Sequence, residues 1–482
     1  MLELCLTARL DCDAFLRAHL TMVHPFRFRS LIIRGLCLMI LMSLCGCHAT
    51  QTPGAKLAPA SSSSYSAAIE NKSKSSSTLH VEAPSSVLTG LDVLEAGHFL
   101  ILQGKRVGLL THPAGANRRG VSAVDVLRHA PGVKLVALFG TEHGVYDELS
   151  ASTIYPDHKD AITGLPIFSL YNGRTHRPTK AQLKGIDVLV IDLQDIGVRS
   201  YTFTGAMKQA MEGCFENNVD VVVLDRPNPL GGLKVDGPLL DAPWIGAALV
   251  NEFPVPYVHG LTIGELARFV KETPGILRIP EISRVKGHLT VIPMVGWQRK
   301  MRWPDTGLTW IKTSTNIPTF AAVMGYPMTG LGTIMGHFSS GVGTQYPFRG
   351  IYNQNIKTDV LKKDLENFNI PGLQYRLVSV PTTQASKSGQ GLFIEVADWD
   401  LWRPTELNFY MMKLTCKYDG KNPYALASKV ASDGFIKHVG SSTFFHELAQ
   451  RGSRIDIEAY MKRWQAEDAL YQQKTRAFWL YK

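Results

Sequence analysis

The sequence predicts an α/β protein, with a doubly wound domain on a parallel sheet followed by a smaller α+β domain. Three observations carry this reading: four apolar runs without alternation, helical stretches between them, and a change of pattern after residue 318. The runs are Arg106–Thr111, Lys134–Phe139, Asp187–Asp192 and Asp220–Asp225, each of strand length. A half-exposed strand alternates apolar and polar residues. A continuous run indicates a strand covered on both faces, the usual state in a parallel sheet. Ser122–His129 and Thr204–Asn217 read as the intervening helices. Further on, Leu392–Val396 reads as a strand and Thr405–Cys416 as a helix. Ile457, Tyr460, Met461 and Trp464 fall at i, i+3, i+4 and i+7, one buried helix face. The expected folded parts are therefore residues 88–318 and 319–482.

The first 87 residues have a different character. Arg27, Arg29 and Arg34 precede an apolar run from Gly35 to Gly46 that is long enough for a signal peptide but too short to span a bilayer. The run ends at Leu44-Cys45-Gly46-Cys47, which resembles a bacterial lipoprotein signal with Cys47 as the lipidated residue. Residues 1–46 are read as the signal and 47–87, rich in Ser, Ala and Thr, as a flexible tether. His48, rather than Asp, follows the cysteine. By resemblance to enterobacterial sorting, this places the lipid anchor in the outer membrane of the cell envelope, on its periplasmic face. Of seven cysteines only Cys47, Cys214 and Cys416 lie beyond the signal, so no disulfide framework is expected.

Composition narrows the partners. Apolar residues make up 45% and charged residues 19%, a globular balance. The net charge is +10, and five arginines against three acids in residues 1–46 leave +8 on the rest. That charge suits an anionic partner, but no basic run or aromatic-basic interleaving marks a nucleic-acid groove. The sequence has no GxSxG elbow, no zincin motif and no P-loop, and Gly330–Gly336 has one residue too many for a dinucleotide loop. Neither a metal nor an organic cofactor is expected.

Ligands of doubly wound sheets sit beyond the carboxyl ends of the strands. The segments that follow those ends here are Thr111–Pro113, Gly140–Gly144, Asp192–Arg199 and Asp225–Pro229. Glu142 is the strongest local candidate, because a carboxyl screened from water can hold a proton for a leaving group. A helix-capping role is the alternative. Asp195 and Arg199 stand four residues apart and can equally be a structural pair.

Together these residues resemble the exo-acting β-N-acetylmuramidase family of the NamZ type, over nearly all of residues 88–482. The landmarks are Gly90–Leu94, Thr141–Gly144, Asp192–Thr202, Asp225–Pro229, His259–Glu265, Trp297, Trp303–Trp310, Asn316–Pro318 and Phe478–Tyr481. The resemblance implies a Rossmann-type domain joined to a smaller C-terminal domain. It also implies release of terminal N-acetylmuramic acid from non-reducing ends of peptidoglycan fragments, with Glu142 as the catalytic acid. Asp192, Asp195 and Asp225 are the candidate partners, and Tyr201 or His143 the candidate orienters. Arg199 and Arg226 are read as holding the lactyl carboxylate through forked hydrogen bonds, with Asn228, His259 and Asn316 as further substrate contacts. The chain departs from the family pattern at Leu331–Ile334, Gly341–Thr344 and Thr313–Asn316, where Leu331 and Val342 replace a charged Glu and Arg. The departures motivate a rival reading as a non-catalytic peptidoglycan-binding lipoprotein. An esterase or deacetylase is a third, without a recognisable nucleophile.

Overall fold

The computed structural model describes residues 86–382, 386 and 388–482; the signal, Cys47 and the tether up to residue 85 lie outside these. A seven-stranded sheet is built from β1 (Arg106–Thr111), β2 (Lys134–Gly140), β3 (His158–Lys159), β4 (Pro166–Ser169), β5 (Val188–Asp192), β6 (Asp220–Leu224) and β7 (Leu289–Ile292). Its order is β3-β4-β2-β1-β5-β6-β7, parallel throughout except for β3 on β4. The helices of this part are α1 (Gly90–Ala96), α2 (Ala123–Arg128), α3 (Thr202–Glu216), α4 (Ile263–Glu272) and α5 (Glu281–Lys286).

The continuous apolar runs have a direct structural cause. Leu189, Ile191, Val221 and Val223 enter one core with Met207 and Met211 of α3 and Leu266 and Val270 of α4. Their alternate neighbours Val188, Val190, Val222 and Leu224 enter another with Leu91 and Leu94 of α1 and Leu127 of α2. Each strand is therefore buried twice, once on each face. The strands that sequence reading missed are those without this double burial. The β3 strand has two exposed residues, and β7 at the opposite edge is only partly covered.

The second part carries a sheet of β8 (Phe338–Ser339), β9 (Gly350–Asn353), β10 (Leu373–Ser379) and β11 (Gln390–Val396), in the antiparallel order β10-β11-β9-β8. Around it lie α6 (Phe320–Thr329), α7 (Thr358–Asn367), α8 (Glu406–Tyr418), α9 (Lys429–Val439), α10 (Ser442–Arg451) and α11 (Ile457–Thr475). Ile457, Tyr460, Met461 and Trp464 of α11 are all buried, as their spacing predicts. Cys214 and Cys416 are free thiols.

The two parts share one main core, and the chain after α11 returns to the first sheet. Tyr481 donates its hydroxyl to Asp225 Oδ2 at 2.5 Å, and Leu480 N–H donates to Glu265 Oε1 at 2.9 Å. The Arg299 guanidinium lies 3.7 Å from the Trp479 ring centre, a stacked cation–π contact.

Candidate active site at the carboxyl edge of the sheet

The strand order reverses at β1. The chain leaves β1 for β2 on one side and later returns past it to β5 on the other. β1 and β5 stay paired up to their last residues, Thr111 against Asp192, and two further hydrogen bonds join the chain at this end. Thr111 Oγ1 donates to the Asp192 carbonyl at 3.1 Å, and Gln194 N–H donates to His112 Nε2 at 2.9 Å. The second bond fixes the tautomer of His112, with its proton on Nδ1. Burial, reinforced by the Arg226 and His143 charges, holds this imidazole well below the usual histidine range, so it stays neutral.

Glu142 follows β2 and is half-buried. Its Oε1 accepts from Ser152 N–H and its Oε2 from Thr202 Oγ1, each at 2.9 Å. Thr202 is the first residue of α3, so the carboxylate also lies at the positive end of that helix. The Tyr171 hydroxyl is near as well, and its own ionisation is made harder first by burial and then by the Glu142 charge. The capping alternative for Glu142 does not apply, because no helix starts directly after it. His143 is buried beside it, with Nδ1 on the Leu149 carbonyl at 3.0 Å and 4.0 Å from Asp147 Oδ1. Asp147 is in turn held by Lys312 at 2.7 Å.

The three candidate aspartates have very different surroundings. Asp192 is fully buried and gripped by Arg226 through two bonds, Nε to Oδ1 at 2.6 Å and Nη2 to Oδ2 at 2.8 Å. Burial raises its proton affinity and the Arg226 charge opposes the rise. Asp225 is also fully buried and accepts four bonds, from Arg226 N, Gly264 N, Thr262 Oγ1 and Tyr481 Oη. Burial pushes it up to about 7. Both of its oxygens are occupied by the protein.

Asp195 is different. Its Oδ2 accepts from Gly197 N–H at 2.7 Å and from His259 Nε2 at 3.2 Å, while its Oδ1 is buried and unpaired. His259 Nδ1 accepts from Leu261 N–H, so the imidazole must donate through Nε2. Gly197 adopts φ +81°, and a Cβ there would lie 2.4 Å from Asn228 Oδ1, so only glycine permits this turn. The Glu142 and Asp195 charges both act on Tyr326, which pairs with Ser200 Oγ at 3.3 Å. Tyr201 stacks edge-on against Tyr326 and donates to Thr313 Oγ1 at 2.8 Å.

Buried polar atoms in folded proteins are nearly all paired. His112 Nδ1, Thr141 Oγ1, Gln194 Oε1 and Asp195 Oδ1 are exceptions, and all four follow the ends of β1, β2 and β5. Beside them, Arg226 lines a cavity of about 240 Å³ together with Gln194, Asn117, Trp303 and Ile311.

Several predicted contacts lie elsewhere. Arg199 does not pair with Asp195; its guanidinium donates to the carbonyls of His438 at 3.2 Å and Val439 at 3.1 Å, closing the end of α9. Asn228 accepts from Leu230 N–H within its own turn and donates to Leu261 O in the segment before α4. Asn316 is half-buried in the segment after Thr313. Leu331 is buried in the main core and Val342 is 38% exposed. Sequence reasoning missed His112, Ser152, Tyr171, Thr202 and Tyr326. The place of His112 directly after a strand and of Thr202 at a helix start were available signals. Tyr171 follows a strand too short to recognise.

Fold and rim together define a doubly wound α/β protein whose topological switch point is lined by carboxylates. Family models described as the N-terminal and C-terminal parts of exo-beta-N-acetylmuramidase NamZ match residues 107–321 and 324–481, and the chain belongs to this family. It is 39% identical over 332 residues to the peptidoglycan beta-N-acetylmuramidase NamZ of Bacillus subtilis, covering 68% of this chain and 77% of that protein. Two crystal structures of DUF1343 family proteins from Bacteroides fragilis share the fold. One has a TM-score of 0.73 at 36% identity, over 82% of this chain and 99% of its own. The other has a TM-score of 0.61 at 25% identity, over 83% and 99%.

The Asp192–Arg226 pair should be strongly coupled. Either Asp192→Asn or Arg226→Met alone strands a buried partner and should cost about 3–5 kcal/mol in urea unfolding. The double variant should lose clearly less than the two single losses added together. Simple additivity would show that the pair is not the coupling unit.

Proposed function

We propose that the protein is an exo-acting glycoside hydrolase that releases terminal β-linked N-acetylmuramic acid from non-reducing ends of peptidoglycan fragments, in cell-wall turnover. One observation carries the assignment of roles: of three aspartates at strand ends, Asp195 alone keeps an unpaired oxygen, on the same rim as Glu142. Glycoside hydrolysis needs an acid for the leaving oxygen and a carboxylate for the positive charge that develops on the sugar ring. Glu142 is the acid and Asp195 the partner.

The bonds around Glu142 support a division of roles between its two oxygens. Ser152 N–H can only donate, so Oε1 remains an acceptor in both protonation states. Oε2 faces the Thr202 hydroxyl, which can reverse its role and accept. We assign the transferable proton to Oε2, with Thr202 as its positioning residue. Asp195 is held by His259 and Gly197 on Oδ2, and Oδ1 is the oxygen left without a protein donor. The lactyl carboxylate is assigned to Arg226, whose Nη1 is free of protein acceptors while Nε and Nη2 are tied to Asp192 and Ala116 O. Ala114, Ile311 and Trp303 provide apolar surface for the lactyl methyl group in the same cavity.

A chromogenic β-N-acetylmuraminide should be turned over, and the matching N-acetylglucosaminide, which lacks the lactyl acid, should show at least about 10²-fold lower kcat/KM. On a natural disaccharide Glu142→Gln should lower kcat by about 10²–10⁴-fold with little change in melting temperature. A stable Glu142→Gln protein with parental turnover would remove Glu142 as the acid.

We place this enzyme in the cell envelope, tethered through acylated Cys47 to the periplasmic face of the outer membrane. The signal-like run before Cys47 supports this reading. Cys47→Ser should release the folded body from the membrane fraction, since acyl chains supply the affinity. Unchanged fractionation of that variant would contradict the anchor.

A further inference from the structure

A second cavity, of about 420 Å³, opens between the 233–236 segment, the 400–404 segment and α11, and no residue of the Glu142 rim lines it. Asp468 of α11 lines it, is only 5% exposed, and among the described residues neither carboxylate oxygen has a well-formed hydrogen bond, although the Gly237 N–H faces the group and favours its ionised form. Beside it, Asp236 receives both of its bonds on one oxygen. Thr405 N–H and Thr405 Oγ1 donate to Oδ2 at 2.7 Å, and Oδ1 takes none.

The cations in the same wall are engaged elsewhere. Lys234 donates its ammonium to the carbonyls of Trp399 and Trp402, and Arg403 lies 3.7 Å from Glu406. Neither is paired with Asp468. At the mouth, Leu233 and Leu401 are apolar yet 56% and 59% exposed. Among the described residues no group of three His, Cys, Asp or Glu side chains is arranged to hold a metal ion. A buried carboxyl group in the wall, beside two exposed leucines, instead matches a positive head group on a hydrocarbon stem, the geometry that lysine side chains themselves use.

We propose that this cavity binds an organic ammonium group on an unbranched alkyl chain, with Asp468 as its counter-ion and Leu233 and Leu401 against the stem. Both a free diamine and an amine-bearing side chain of a peptide present this chemistry. The site is independent of the glycosidase reading.

The site carries its own proton signature. Asp468 is surrounded by Lys234 and Asp236 on one segment, Asp400 and Arg403 on the second, Glu406 of α8 beyond Asp236, and Glu467 of its own helix. Burial, then the Asp236 and Glu467 charges, push Asp468 up to about 9, so it is neutral in the free protein at neutral pH. An arriving ammonium favours the ionised form, and one proton leaves as the ion pair forms. Affinity should then rise about tenfold per pH unit between about pH 6 and pH 8.

The test is calorimetric titration of the intact folded body with cadaverine at matched ionic strength, in two buffers of different ionisation enthalpy. The expected result is saturable millimolar binding with one proton released per ligand and affinity rising with pH. Nα-acetyl-lysine amide is the second probe; tighter binding than cadaverine assigns the site to a peptide-borne amine, and weaker binding to a free one. Asp468→Asn should weaken both by at least about tenfold. The variant should melt no lower than the parent, because Asn has the shape of the neutral acid. Absence of saturable heat with the parent, pH-independent binding without proton release, or parental affinity in Asp468→Asn would each overturn the proposal.

Discussion

The rim depends on one buried ion pair. Asp192 ends β5 and Arg226 lies just beyond β6, so their two-bond clamp ties neighbouring strand ends together. Arg226 also donates to Ala116 O at 2.8 Å, which adds the turn after β1 to the same clamp. Desolvating two charges is costly, and the arrangement is tolerable only because both carboxylate oxygens and two guanidinium nitrogens are satisfied. Its effect is geometric. With Asp192 held, Gln194 and Asp195 leave the strand in a fixed direction, one toward His112 and the other toward His259.

Three aspartates therefore stand at or just after strand ends with three separate duties. Asp192 holds the edge of the sheet together, and Asp225 caps α4 while anchoring Tyr481. Only Asp195 retains a free acceptor. Residue type and strand position are alike; the number of protein donors reaching each carboxylate is what separates them.

Much of the fold was legible in the sequence because burial on both faces leaves a continuous apolar run for each central strand. β1, β2, β5 and β6 carry that mark; β3 and β7, at the two edges, do not. The rim was legible because strand ends locate it, and Glu142 and Asp195 were both visible there. Arg199 was misplaced for a definite reason. Its spacing from Asp195 suits a helix, but residues 193–199 are not helical, and the two side chains diverge. Thr202 and Glu142 are 60 positions apart in sequence, and no local pattern encodes such a contact.

The return of residues 479–482 to the first sheet has a consequence for the order of events during synthesis. Asp225, Glu265 and Arg299 each bind this segment, through Tyr481, through Leu480 and through both Trp479 and the Lys482 carbonyl. A nascent chain that has made every strand of the large sheet and passed Arg299 already has the Arg299–Glu265 pair and three of the four donors to Asp225, but lacks these last partners until translation has passed the second sheet. Domains usually condense as they leave the ribosome, N-terminal part first. Here the first part gains its last contacts only once the final four residues have been made.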